Sequence, residues 1–192
     1  MDTTFHFDPG CPWTWRASRW LLLVAPQRGL TLRWRAFSLA IVNEGNVPER
    51  FRARSAASSR ALRLVEALAA QGRHDDTLRF YTALGERVHD RGEELTDAVV
   101  DAAADAAGLG DARAALDDPT WDKSVREAHD TAYGSAGPDV GSPVLLVEGA
   151  PRGVHGPILG AVPEPPEAAE LWDGIRPLLR SEVFFEVKRG RP

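Results

Sequence analysis

The first 37 residues leave this chain little choice of fold. Thr3–Phe7 is a short apolar run of strand type, and Asp8-Pro9-Gly10 directly behind it is a loop signal. From Pro12 to about Gln27 the spacing is helical, with Pro12 in the first turn and Trp13, Trp20, Leu21 and Val24 on the helical period; Gly29 ends it. Leu30–Phe37 then alternates apolar and polar, the pattern of a second strand with one covered face. This βαβ start points to the α/β class.

The pattern then changes. From about Pro48 to Ala136 only helices are predicted. Phe51, Leu62, Val65 and Leu68 mark one amphipathic stretch, and Leu78, Tyr81, Leu84 and Val88 a second. Thr96–Ala107 is Ala-rich and stops at Gly108, while Asp118-Pro119 opens a helix containing Trp121, Val125, Ala128 and Ala132. Gly134 to Gly141 reads as a loop. Val144–Val147 has a buried-strand signature, and Val154-His155-Gly156 follows a turn as its hairpin partner. Pro163 to Leu179 returns to a helix with Leu171, Ile175 and Leu178 inward, although Pro177 should kink or end it. Val183–Val187 is a short extended or packed segment, whose Phe184-Phe185 pair covers either a homodimer interface or the domain's own core.

Composition narrows the partners. The 192 residues allow one large domain or a domain carrying an insertion, and 43% hydrophobic with 27% charged residues is ordinary for a globular protein. A net charge of −5 disfavours nucleic acid. The longest apolar run, Trp20 to Pro26, is too short to span a membrane, and Met1-Asp2-Thr3-Thr4 lacks the basic and apolar regions of a secretory leader. The single cysteine, Cys11, excludes an intramolecular disulfide; a cytoplasmic location is expected, where a free thiol survives. The five histidines do not cluster with cysteine at zinc-ligand spacing, so no metal is expected, and no glycine-rich phosphate loop is present.

Cys11 falls at the junction of the first strand and the first helix. There the unpaired backbone N–H groups and the helix dipole favour a thiolate. In a C-x-x-C motif a second cysteine would stand three residues on, but this chain has Thr14. The Thr14 hydroxyl either bonds to sulfur or backbone or is a helix-surface remnant. Arg16 and Arg19 on the same helix either favour an anionic ligand and a depressed thiol pKa or form a solvated face. Most of the six tryptophans are core; Trp13 and Trp15 are candidates for a flat aromatic wall. His129 and His155 lack partners in sequence and are read as surface residues.

With the helical block removed, the order βαβ plus ββα resembles the thioredoxin layout. More narrowly, the chain resembles the DsbA-like thiol oxidoreductases with a helical insertion, and among them the mycothiol-dependent nitroreductases. The residues that carry the resemblance are Phe7-Asp8-Pro9, Cys11-Pro12-Trp13, Ser18-Arg19-Trp20, Ser38–Glu44, Tyr81–Gly85 and His89. Asp139–Pro143, Gly156-Pro157, Leu171-Trp172-Asp173 and Phe184–Arg189 complete them. The resemblance implies a thioredoxin-like domain formed by 1–44 and 137–192, with 45–136 as an inserted all-helical subdomain. It implies Cys11 as nucleophile, with Thr14 where the family's second cysteine falls, and Pro12, Trp13, Asn43, His89 and Ser142 around a small thiol. Pro143 would be the cis-proline whose neighbouring backbone holds that thiol. No tightly bound cofactor is implied; mycothiol, or another low-molecular-weight thiol, would be the co-substrate, and a small planar aromatic molecule the substrate. Without a second cysteine the expected cycle is monothiol. The rivals are a thiol-dependent transferase or isomerase, like the kappa-class glutathione transferases and chromene-carboxylate isomerases, and a binding homologue that has lost turnover.

Overall fold

A four-stranded mixed sheet organises the chain. The computed structural model describes residues 1–190. The strands β1 (Asp2–Phe7), β2 (Thr31–Ala36), β3 (Val144–Val147) and β4 (Val154–His155) lie in the order β2-β1-β3-β4. β1 runs parallel to β2, as a βαβ unit requires, and antiparallel to β3, which pairs antiparallel with β4. Helix α1 (Pro12–Arg28) joins the first two strands. Between β2 and β3 come α2 (Leu39–Val42), α3 (Glu49–Ala70), α4 (His74–Gly85), α5 (Asp97–Ala106) and α6 (Asp122–Ala136); α7 (Pro165–Leu179) follows the hairpin. This is the α/β, thioredoxin-like order expected from the sequence.

Local chemistry sets the boundaries. Pro12 occupies the first turn of α1, where its missing N–H has no partner to lose, and Gly29 ends the helix in the left-handed region at φ 62°. Ser38 and Thr96 cap α2 and α5 by accepting the Ile41 and Val99 N–H groups. α4 continues as a π-helical turn over Glu86–Asp90.

The core is aromatic and continuous. Phe7 stacks on Tyr81 of α4 with ring centroids 4.2 Å apart, and Trp34 of β2 packs edge-on against Phe5 and Phe7. Trp15 of α1 meets Tyr81 edge-on at 5.5 Å. Leu62, Val65 and Leu68 of α3 and Val100 of α5 belong to the same buried cluster. At the outer edge of β2, the Glu66 carboxylate accepts the Ala36 N–H at 2.7 Å and pairs with Arg35 at 2.8 Å, while the Trp34 N–H donates to His74 Nδ1 at 3.4 Å.

Several expectations are corrected. Phe51, counted inward, is exposed because it lies in the first turn of α3, and Leu178 near the end of α7 is exposed as well. α6 carries through Gly134 to Ala136, so the following loop begins at Gly137. Pro177 is held inside α7, which ends two residues later. The tail is not packed: Val183, Phe185 and Val187 are exposed and do not cover the domain's own core, whereas Phe184 is half-buried. His129 is not a surface residue. It is buried against Phe37 and accepts the Ser38 N–H, and burial lowers its pKa.

Two measurements check this packing. A Cβ at Gly85 would stand 2.1 Å from the Trp15 ring, so Gly85→Ala is expected to destabilise the protein by about 1–3 kcal/mol in urea unfolding. His6 is buried, and desolvation lowers its pKa to about 4, against an unfolded value near 6.5. Between those values the unfolded chain binds a proton that the native state rejects. The stability from neutral His6 is therefore complete above pH 6.5 and is lost as pH falls toward 4, by about 2 kcal/mol at pH 5. Unfolding of wild type and His6→Asn at pH 7.5 and pH 5 should show the variant's pH difference smaller by that amount.

Candidate active site

The end of β1 delivers the chain into a closed turn. The Cys11 N–H donates to the Asp8 carbonyl at 3.1 Å, and the Gly10 N–H donates to Asp8 Oδ1 at 2.8 Å. This Asx-type closure presents Cys11 as the N-cap of α1. The thiol is buried, at 6% exposure, and faces the loop before β3. Its S–H donates to the Ser142 carbonyl at 3.5 Å, and the Ser142–Pro143 peptide is cis.

Thr14 is the pivot of this contact. It is fully buried, so the helix-surface alternative is excluded. Its hydroxyl shares a 2.8 Å hydrogen bond with Ser142 Oγ, which also accepts the Asp8 N–H at 2.9 Å. Because Ser142 Oγ accepts from Asp8, its own proton is available to Thr14. The Thr14 proton is then available to the sulfur, whose ionised form it favours.

The electrostatics run against the simple helix-terminus expectation. Burial pushes the Cys11 thiol up; the Thr14 hydroxyl and the Thr14 and Trp13 backbone N–H groups oppose that shift, and the charge of Asp8 adds to it. Desolvation therefore outweighs the helix N-terminus in this reduced state.

Asp8 is read from the sequence as part of a loop signal and of the family resemblance, with no role of its own. Its buried carboxylate also accepts Ser58 Oγ–H at 2.6 Å and the Leu39 N–H at 2.8 Å. Arg54 of α3 donates to the Gly10 carbonyl at 2.7 Å. Nothing in the local sequence pairs positions 54 and 58 with position 8.

The remaining expected residues divide. His89, set by the π-helical turn, donates Nε2–H to the Pro9 carbonyl at 2.9 Å and stacks on Trp15; burial lowers its pKa. Pro12 is exposed, and Trp13 is half-buried with Arg16 5.0 Å from its ring centroid. Trp15 belongs to the core and donates its indole N–H to Asp90 at 2.8 Å. Arg19 is no solvated side chain: it lies 4.0 Å over the Trp15 ring centroid and donates to Thr82. Asn43 caps α2 and commits its amide to the Leu39 carbonyl at 2.7 Å; no hydrogen bond among the described residues joins it to Cys11, Thr14 or Ser142. His155, read as a surface residue, instead braces the proline loop. Its Nδ1–H lies 2.9 Å from the Gly141 carbonyl and 3.0 Å from that of Pro143.

The thiol's surroundings can be titrated directly. Iodoacetamide alkylation of Cys11 against pH should give an apparent pKa above the ordinary value of about 8.5. Thr14→Val, which removes the hydroxyl donor, should raise it further. Asp8→Asn should lower it by removing the opposing charge, while costing about 1–3 kcal/mol of stability because an amide N–H₂ then faces buried donors. An apparent pKa below about 7.5 in the wild type would mean that the helix terminus, not burial, controls the thiol.

Comparison with known proteins agrees with this architecture. The chain is 31% identical to the uncharacterized protein Rv2286c of Mycobacterium tuberculosis over 193 aligned positions, covering 97% of this chain and 81% of that one. It shares its fold with a 2-hydroxychromene-2-carboxylate isomerase, at TM-score 0.61 and 17% identity over 94% of this chain and 97% of the other. The probable DsbA oxidoreductase SCO1869 from Streptomyces coelicolor superposes at TM-score 0.58 and 17% identity over 92% and 90%. A protein-family model, Rv2466c-like, for the mycothiol-dependent nitroreductase Rv2466c, matches residues 10–189. With that span taking in Cys11, the helical segment and the proline loop, the chain belongs to the Rv2466c-like family of mycothiol-dependent nitroreductases, and so to a family of thiol-dependent oxidoreductases.

Proposed function

We propose that the protein is a cytoplasmic monothiol oxidoreductase in which Cys11 is the nucleophile and mycothiol the reductant. The observation that carries the reading is the position of the only cysteine: it caps α1 and hydrogen-bonds to the carbonyl before the cis-proline. A small thiol or disulfide docked along that loop would meet the sulfur and the Ser142 backbone together. Thr14 assists by donating its hydroxyl proton to the ionised sulfur. Trp13 supplies an aromatic wall for a planar substrate, and the segment 45–136 acts as an insertion that closes the turn through Arg54, Ser58 and His89.

The cycle has two exchanges. The Cys11 thiolate attacks a sulfur of a small disulfide; the new Cys11–S bond forms as the old S–S bond breaks, and the departing thiolate is protonated by solvent. A mycothiol thiolate then attacks the outer sulfur of the mixed disulfide, forms a disulfide with the substrate portion and returns the electron pair to Cys11. No internal cysteine competes for the first mixed disulfide, so its lifetime is set by the external thiol.

One observation favours a second reading. A buried thiol with a raised pKa also suits a transferase or isomerase, in which the co-substrate's thiol is activated and Cys11 is a bystander. Mass spectrometry after incubation with mycothiol disulfide separates the two. The redox reading expects one mycothiol adduct on Cys11, removed by added mycothiol and absent in Cys11→Ser. It also expects Thr14→Cys to release the adduct about tenfold faster, because a neighbouring thiol attacks at high effective concentration. Absence of any adduct, with conjugation or isomerisation retained in Cys11→Ser, would overturn it in favour of the rival.

A further inference from the structure

Two arginines flank the thiol turn, and the charge of one of them, Arg54, acts on the buried Asp8 carboxylate of that turn. Arg54 approaches from α3 and donates Nη2–H to the Gly10 carbonyl at 2.7 Å, one residue before Cys11. Arg16 approaches from α1, its guanidinium 5.0 Å from the centroid of the Trp13 ring. Both are half-buried, and the charges of both bear on His89, whose Nε2–H is bonded to Pro9 of the same turn. Among the described residues, neither forms an ion pair. On α3 itself Arg52, Arg60 and Arg63 are paired with acids, while Arg50 lies over the Phe51 ring and, like Arg54, forms no ion pair.

The nearby carboxylates are occupied. Asp8 is buried and accepts from Gly10, Leu39 and Ser58. Asp90 accepts the Trp15 indole N–H, and Glu86 pairs with Arg91. The third arginine of this helix face, Arg19, is folded against Trp15 and Tyr81. Two planar guanidinium groups therefore remain at the rim of the turn, each able to take a carboxylate by paired N–H donors.

We propose that Arg16 and Arg54 are specificity-determining residues that select carboxylate-bearing small disulfides as the oxidised partner of Cys11. The arginines act on the approaching anion and on the acidic thiolate that departs when the Cys11–S bond forms and the substrate S–S bond breaks. They leave the resolving thiol free to be neutral. The proposal deepens the redox reading by naming the charge class of its substrate.

The test uses matched reagents on the whole protein. Cys11 is reacted with iodoacetate and with iodoacetamide, which differ chiefly in charge, at one pH and low ionic strength. The ratio of the two rates cancels the fraction ionised and is compared with the same ratio for 2-mercaptoethanol. The expected ratio is about five- to tenfold higher for Cys11. Arg16→Gln and Arg54→Gln should each lower it about threefold, 0.5 M salt should lower it toward the free-thiol value, and Arg54→Lys should restore most of it. The dianionic 5,5′-dithiobis(2-nitrobenzoate) against neutral 2,2′-dithiodipyridine should show the same preference for disulfides. A Cys11 ratio equal to that of the free thiol, or variants that change both rates equally, would overturn the proposal. Failure of the redox reading shows elsewhere, as a missing mycothiol adduct while the alkylation ratio stays high.

Discussion

The buried carboxylate of Asp8 is the tie on which the thiol site hangs. Its two oxygens accept from Gly10 in the thiol turn, from Leu39 at the start of α2 and from Ser58 in α3. Its backbone N–H meanwhile donates to Ser142, beside the cis-proline. One residue thus fixes four segments that are far apart in sequence around the same sulfur. A buried carboxylate is tolerated only where donors compensate for lost water, so the convergence of those donors is a condition of burying Asp8 at all. The price is felt at the sulfur, since the same negative charge opposes ionisation of Cys11.

The thiol's position therefore has two opposed consequences. A helix N-terminus and a hydroxyl from Thr14 favour the thiolate, whereas burial and Asp8 favour the neutral thiol. In the reduced state the second pair prevails, with the S–H resting on the Ser142 carbonyl. A ligand that reaches the sulfur must displace that contact, which frees the Ser142 carbonyl as it engages the thiol. Thr14 stands where a second thiol would stand in a C-x-x-C motif, yet it is wired into the proline loop rather than left empty.

How much was legible in advance follows from the range of each interaction. The strands, α1 and most helices were readable because they rest on local periodicity and on punctuation by Pro12, Gly29 and Gly108. Cys11, Thr14 and Ser142-Pro143 stood out through their places in the element order and through family resemblance. Ser58 and Arg54 did not, because their role is a contact with residues more than forty positions away in a helix that otherwise looks ordinary. His129 and His155 were misjudged for the same reason: their partners, Ser38 and the Gly141 and Pro143 carbonyls, are supplied only by folding. Phe51 and Leu178 failed differently. Helical spacing says which side of a helix an apolar residue is on, but not whether the helix end still overlies the core.

The outer edge of β2 has a consequence for the chain's behaviour among its own copies. A strand edge with free N–H groups is a template on which another chain can lay a strand, the first step toward aggregation. Here the Glu66 carboxylate and the His74 imidazole occupy the N–H groups of Ala36 and Trp34. The opposite edge, β4, is two residues long. Both borders of the sheet are thus poor docking rails, and sheet extension between molecules is disfavoured at each. The Arg35–Glu66 pair, which shares no hydrogen bond with Cys11, Thr14 or Ser142 among the described residues, serves in this way as a guard on the sheet edge.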